Sequence, residues 1–172
     1  MPIIPDTKNW TWVLDEVCTE CGLDTRTLSF GELPERIRAN AAVWPTILER
    51  VDARRRPDDD TWSPLEYAAH VRDVFRIFDA RFRLMLDEED PAFENWDQDA
   101  TAREDRYSEQ DPAVVAAELL AAAETAALTL EAIPASALGR TAVRSDGSRF
   151  TVESLGRYFV HDPVHHLHDV TA

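Results

Sequence analysis

The tetrapeptide Ser63-Pro64-Leu65-Glu66 does most to limit what this chain can fold into, because it is a complete helix start. Ser is a good N-cap, Pro is harmless in a first turn whose N–H groups are unpaired anyway, and Glu at the third helical position can reach back to the cap. The residues that follow keep a helical period to about Leu86. At 100° per residue, Tyr67, His70, Val71, Val74, Ile77, Phe78 and Met85 share one broad arc, while Arg72, Arg76, Asp79 and Arg83 take the other side. The spacing therefore predicts an amphipathic helix with an imidazole, His70, on its buried stripe.

Three more stretches read as helical. One runs from about Leu33 to Val51, with Pro45 predicting a kink or a break. An alanine-rich one starts at Asp111-Pro112 and is stopped by Pro134, its small side chains allowing close helix approach. The last is capped by Thr151 and carries four of the five histidines. Between them, Arg54 to Asp60 reads as a solvated linker, and Asp87 to Gln110, acidic and aromatic without a period, reads as a long ordered loop of the kind that often serves function. Asp146-Gly147 between short β-like runs predicts a small hairpin or extended loop over Gly139 to Thr151.

Charge narrows the partners. With 33 acidic against 18 basic residues the formal net charge is −15, which repels phosphate backbones and anionic bilayers, so neither nucleic acid nor membrane is expected as a partner. No apolar run is read as approaching the ~20 residues that span a bilayer, and Met1 to Trp10 lacks the basic and apolar regions of a signal peptide. A cytoplasmic location is expected, with Cys18 and Cys21 reduced unless they bind metal or carry out redox chemistry. The five glycines form no phosphate-cradling loop, and no Ser or Cys nucleophile with an adjacent base is visible. Chemistry, if any, falls to a metal.

The histidines make such a site. On an ideal helix with His161 at 0°, His165 lies at about 40°, His168 at about −20° and His166 at about 140°. The i, i+4 pair His161 and His165 can hold one cation, and His70 supplies a third imidazole from the buried face of another helix. Neutral imidazoles suit Zn, Ni, Fe or Co, and three protein ligands leave a position open for water or substrate. Pro163, between the two ligands, removes the N–H that would bond the Phe159 carbonyl; if the helix kinks there, His165 and His168 become the rival pair. The bland alternative is a hydrogen-bonded core histidine plus a surface cluster. Cys18-x-x-Cys21 reads most simply as two small buried residues beside a turn. A mixed site of two cysteines and two histidines, drawing on His166 and His168, requires the N-terminal segment to fold back onto the last helix. Glu66 is explained as a cap, although it could also accept from an imidazole N–H.

The stretches Trp62-Ser-Pro-Leu-Glu-Tyr-Ala-Ala-His70 and Arg157-Tyr-Phe-Val-His161-Asp-Pro-Val-His165-His166 resemble the DinB/YfiT-like family of metalloenzymes, and the likeness extends over about Leu33 to Val170. The resemblance implies an all-α, up-down-down-up four-helix bundle over residues 33–172, often dimeric, with residues 1–32 as an N-terminal extension packing on it. It carries the metal ligands over to His70, His161 and His165. Relatives resembling mycothiol-dependent maleylpyruvate isomerase imply a thiol-dependent S-transferase or isomerase that uses mycothiol, bacillithiol or glutathione on a small-molecule substrate. Arg149, Arg157 and Tyr158 are then candidates for holding an anionic thiol cofactor. Two other classes remain: a non-catalytic bundle that binds metal or a small ligand, and a metal-free homodimeric interaction module.

Overall fold

A computed structural model describes residues 9–172, and within it the stretch read as one helix from Leu33 forms two, α1 (Leu33–Ala41) and α2 (Trp44–Leu48). Pro45 sits in the first turn of α2, where its missing N–H costs nothing, so it begins a helix instead of kinking one. The Ser63 start is realised in α3 (Pro64–Asp87): Ser63 Oγ accepts from the Glu66 N–H at 3.3 Å, and the Glu66 carboxylate accepts from the Ser63 N–H at 2.9 Å.

The segment expected to be a long loop is more ordered than its composition suggests. It contains strand β1 (Ala92–Phe93) and helix α4 (Gln98–Glu104), which Asp97 caps by accepting from the Ala100 N–H at 2.8 Å. Tyr107 is fully buried and donates to Asp73 of α3 at 2.6 Å, which pins the segment to the bundle. A helix of two turns and a two-residue strand are too short to leave a clear period in the sequence. Helix α5 (Pro112–Ala132) follows, capped by Asp111, and then the expected hairpin of β2 (Thr141–Arg144) and β3 (Arg149–Thr151), with Gly147 at φ +90° in its turn. Strand β1 adds to it in parallel, Ala92 opposite Val143 and Phe93 opposite Arg144. The chain is therefore mostly helical but not strictly all-α, because it carries this small three-stranded sheet.

Helix α6 (Val152–Thr171) is capped by Thr151 Oγ1, which accepts from the Ser154 N–H at 3.0 Å, and it runs unbroken through Pro163. The carbonyl of Pro163 accepts from buried Asn40 Nδ2 at 2.7 Å, so the α1 side chain anchors α6 at its weakest point. Helices α1 and α3 each pack against α5 and α6. Phe159 of α6 is central: it stacks on Phe78 with ring centres 4.9 Å apart and meets Phe75 and Phe82 edge-on at 5.9 Å each. Helix α5 departs from one expectation, since alanine-rich Pro112–Ala132 is long and apolar enough to cross a membrane by length and composition. Here it is a bundle helix, with Leu119, Ala123, Ala126 and Ala127 buried and Glu118 and Glu124 in ion pairs to Arg72 and Arg38.

Of the N-terminal extension expected over residues 1–32, the first eight lie outside the described residues. The rest forms 3-10 turns at Trp10–Leu14, Thr25–Thr27 and Phe30–Glu32, all of which contact α6. Gly156 permits the close approach: a Cβ there would stand 2.7 Å from Leu33 Cδ1 and 2.8 Å from Phe30 Cε2. The extension thus lies along the helix that carries the histidines.

Candidate metal centres

The sequence His161-Asp162-Pro163-Val164-His165-His166 contains two i, i+4 pairs, and the helix aims them differently. With His161 at 0° and His165 at about 40°, Asp162 lies at about 100° and His166 at about 140°. The first pair faces the N-terminal extension and the second faces α3. The expected trio is accordingly divided: His70 gathers with Asp162 and His166, while His161 and His165 gather with Cys18 and Cys21, the donor atoms in each group lying within 4.8 Å of one another. His168 is exposed and in neither group.

In the first cluster, His70 Nε2 lies 3.2 Å from Asp162 Oδ1, and His166 Nε2 lies 3.7 Å from the same oxygen. Two ligands each about 2.1 Å from a tetrahedral ion stand about 3.4 Å apart, so the three donors have the spacing of a coordination sphere. His166 Nδ1 donates to Asp169 Oδ2 at 3.0 Å, the outer carboxylate that commonly orients a ligating imidazole. His70 is completely buried; Trp96 stacks on it at 5.1 Å and 6°, and Trp62 leans against it at 5.3 Å. Its Nδ1 has no hydrogen-bond partner among the described residues, a costly condition for a buried polar atom. Burial works against ionising Asp162, but His70 and His166 beside it hold its carboxyl down at about 2.

In the second cluster, Cys18 Sγ lies 3.6 Å from His165 Nδ1. His161 Nε2 is buried without a hydrogen-bond partner among the described residues, and Trp10 covers both rings, at 5.6 Å from His161 and 5.2 Å from His165. Burial pushes His161 down to about 4, with His165 adding in the same direction, and burial lowers His165 as well. Both therefore stay in the neutral form that ligates metal. Burial raises the Cys21 thiol to about 11, the reverse of the lowered value that makes a Cys-x-x-Cys pair a redox catalyst.

A cavity of about 380 Å³ borders both clusters: Asp162 and His166 of the first and His161 and His165 of the second are in its lining, and Trp10 and Glu20 of the N-terminal extension form part of its wall. Of the arginines and tyrosine singled out in the sequence, Tyr158 lines this cavity, its hydroxyl accepting from Arg144 Nη1 at 3.0 Å. Arg149 pairs with Asp90 at 2.9 Å and Arg157 with Glu153 at 3.0 Å, both outside the lining. The cationic groups that do face the cavity are Arg144 and Arg81. Arg144 is committed to Asp146 at 2.8 Å. Arg81 is only 8% exposed, lies over the rings of Phe78 and Phe93 at 4.9 and 4.5 Å, and donates to a backbone oxygen, that of Glu94, at 3.0 Å. Burial lowers its pKa to about 10, which still leaves it charged near neutral pH. Among the described residues, no carboxylate pairs with it.

Residues 35–170 match the DinB superfamily. The chain belongs to that family. Among solved structures, this DinB chain is similar to YfiT from Bacillus subtilis, described as a probable metal-dependent hydrolase with an unusual four-helix bundle topology. The TM-score is 0.69 at 19% identity, with 91% of this chain and 89% of that chain covered, so the likeness shows a shared four-helix bundle. No curated protein matches the chain.

Ranking ligands by counting histidines passes over Asp162 as a donor. Its signal in the sequence is Asp-x-x-x-His, one residue out of step with His-x-x-x-His. The second cluster cannot be located without knowing where residues 10–32 lie.

Proposed function

We propose that this DinB chain is a divalent-metal-dependent enzyme of the hydrolase-like kind, holding its cation between His70, Asp162 and His166. The observation that carries this reading is the juxtaposition of two imidazoles and a carboxylate, at ligand spacing, with an open cavity. The donor set suits Zn, Fe, Co or Ni, and a site with three protein ligands keeps room for a reacting group. A cation held there would supply Lewis acidity, polarising a substrate oxygen or activating a thiol.

The chain's own residues supply the rest. Asp169 fixes the ring of His166, and Trp96 stacked on His70 fixes the other imidazole and keeps water from it. Arg81, which pairs with no carboxylate among the described residues, presents its charge from between two phenylalanine rings, which suits a substrate or thiol cofactor bearing a carboxylate or other anion. Tyr158 and Arg144 hold one another at the cavity edge and offer a second polar anchor. A thiol-dependent S-transferase or isomerase is the finer form of this reading, with the anionic end of the thiol at Arg81 in place of Arg149 or Arg157.

The test is metal analysis of untagged protein together with an activity screen on small anionic esters, amides and thiol-transfer substrates. Asp162→Ala and His166→Ala should each lose about one metal equivalent and the activity. Arg81→Met should keep the metal but lower kcat/KM for anionic substrates by roughly 10- to 100-fold, the value of a lost charged hydrogen bond. Full metal content in both ligand variants would overturn the assignment.

A further inference from the structure

We propose that Cys18, Cys21, His161 and His165 form a second, closed zinc site that fastens the N-terminal extension to α6. It shares no ligand with the His70, Asp162 and His166 site, although His161 and His165 also line the cavity, so it stands or falls separately.

Four donors of the two types that zinc prefers come from chain segments more than a hundred residues apart: Cys18 and His165 are separated by 147 positions, yet their donor atoms meet at 3.6 Å. A sulfur about 2.3 Å and a nitrogen about 2.05 Å from a tetrahedral zinc stand about 3.6 Å apart, so the pair already has the separation that coordination demands. All four residues offer donor atoms within 4.8 Å of one another. His161 Nε2 is buried and has no hydrogen-bond partner among the described residues, a want that a metal bond would satisfy. The loop is shaped to present both sulfurs: the Cys18 N–H donates to Leu23 O at 3.0 Å, the Gly22 N–H returns to Cys18 O at 2.8 Å, and Gly22 turns the chain at φ +76°. Outside the group, Glu20 Oε2 lies 3.2 Å from His165 Nε2, and so supplies the carboxylate that steadies a ligating imidazole.

Two thiolates and two imidazoles complete a tetrahedron and leave no position for substrate, so this zinc is structural. Loading it breaks two S–H bonds, forms two Zn–S and two Zn–N bonds, and releases two protons to solvent. Its consequence reaches the neighbouring cavity. Trp10 covers the two imidazoles and Glu20 lies within the Cys18–Cys21 loop, and both line that cavity, so the zinc holds one wall of the first site in place.

Cobalt titration of the demetallated, untagged full chain tests this. Cobalt should give thiolate-to-metal charge-transfer absorption and the intense ligand-field bands of a tetrahedral site, with the sulfur band saturating at one equivalent whatever happens at His70. The Cys18→Ser, Cys21→Ser double variant should lose these bands and one zinc equivalent. Each single substitution should weaken zinc binding by more than the roughly 10- to 100-fold that loss of an outer-shell partner costs. Removing zinc from the wild-type protein should speed proteolysis at Arg26, within the extension. Cobalt bound by the wild-type chain without sulfur charge transfer, or zinc content unchanged in the double variant, overturns the proposal. If the double variant fails to fold, the wild-type spectrum decides alone.

Discussion

Replacing Glu66 with Gln tests how the helix that carries His70 is held. Glu66 is 4% exposed and accepts from the Ser63 N–H at 2.9 Å, from Ser63 Oγ at 2.8 Å and from Arg56 Nε at 2.9 Å. Gln keeps the shape but not the charge. A hydrogen bond to a charged group contributes about 1.5–3 kcal/mol and a good helix cap about 1 kcal/mol. Because the Arg56 side chain is 32% exposed, solvent screens its share, and Gln retains part of the cap, so the net loss should be about 2 kcal/mol. With a urea m-value of about 2 kcal/mol/M, the unfolding midpoint falls by roughly 1 M. The loss should depend on pH. Burial alone would raise the Glu66 carboxyl, but hydrogen bonds from Arg56 and Ser63 outweigh it and hold the group below its ordinary value. A carboxyl depressed in the folded state stabilises above its unfolded pKa of about 4.3, and that contribution disappears as pH falls through the folded value. Urea titrations should therefore show the full gap between wild type and Glu66→Gln near pH 7 and a shrinking gap below pH of about 4. A gap absent at pH 7, or one that stays constant into acid, would refute the account of Glu66 as a charged, buried cap.

Two further substitutions probe the packing that places α6. Phe159→Ala removes the ring that Phe75, Phe78 and Phe82 surround, and should cost about 3–5 kcal/mol; at about 2–4 °C per kcal/mol, calorimetry should find Tm lowered by roughly 6–20 °C. Gly156→Ala gains about 1 kcal/mol of helix propensity but drives a methyl group to 2.7 Å from Leu33 Cδ1 and 2.8 Å from Phe30 Cε2, an overpacking of about 1–3 kcal/mol, so urea unfolding should show a less stable protein; a more stable one would mean these two side chains yield easily.

What can be read in advance follows from how local each signal is. The Ser63 cap, the arc containing His70, the Asp146-Gly147 turn and the Thr151 start depend on neighbours within one or two turns, and each is where the spacing puts it. Pro163 misleads only in its implied threat: the carbonyl bond from Asn40, 123 positions away, is a tertiary contact that no local pattern contains. Strand β1 is two residues long and exists because β2 offers it an edge, which again is a long-range fact.

The divided histidines show the same limit at the site. Periodicity correctly places His161 beside His165 and turns His166 about 100° away from His165, yet it cannot say what stands opposite each face. Once α3 lies against one face and the Cys18 loop against the other, consecutive residues of one helical turn serve different neighbours. His161 and His165 meet sulfur, whereas Asp162 and His166 meet the imidazole of His70. The single-residue offset then carries chemical meaning, because both faces border the cavity but only the face with two cysteines has the four donors that close a tetrahedron, while the face with one carboxylate has three. Substitutions at positions 161 and 165 should therefore act on the attachment of the extension, and those at 162 and 166 on metal binding at the proposed three-ligand site.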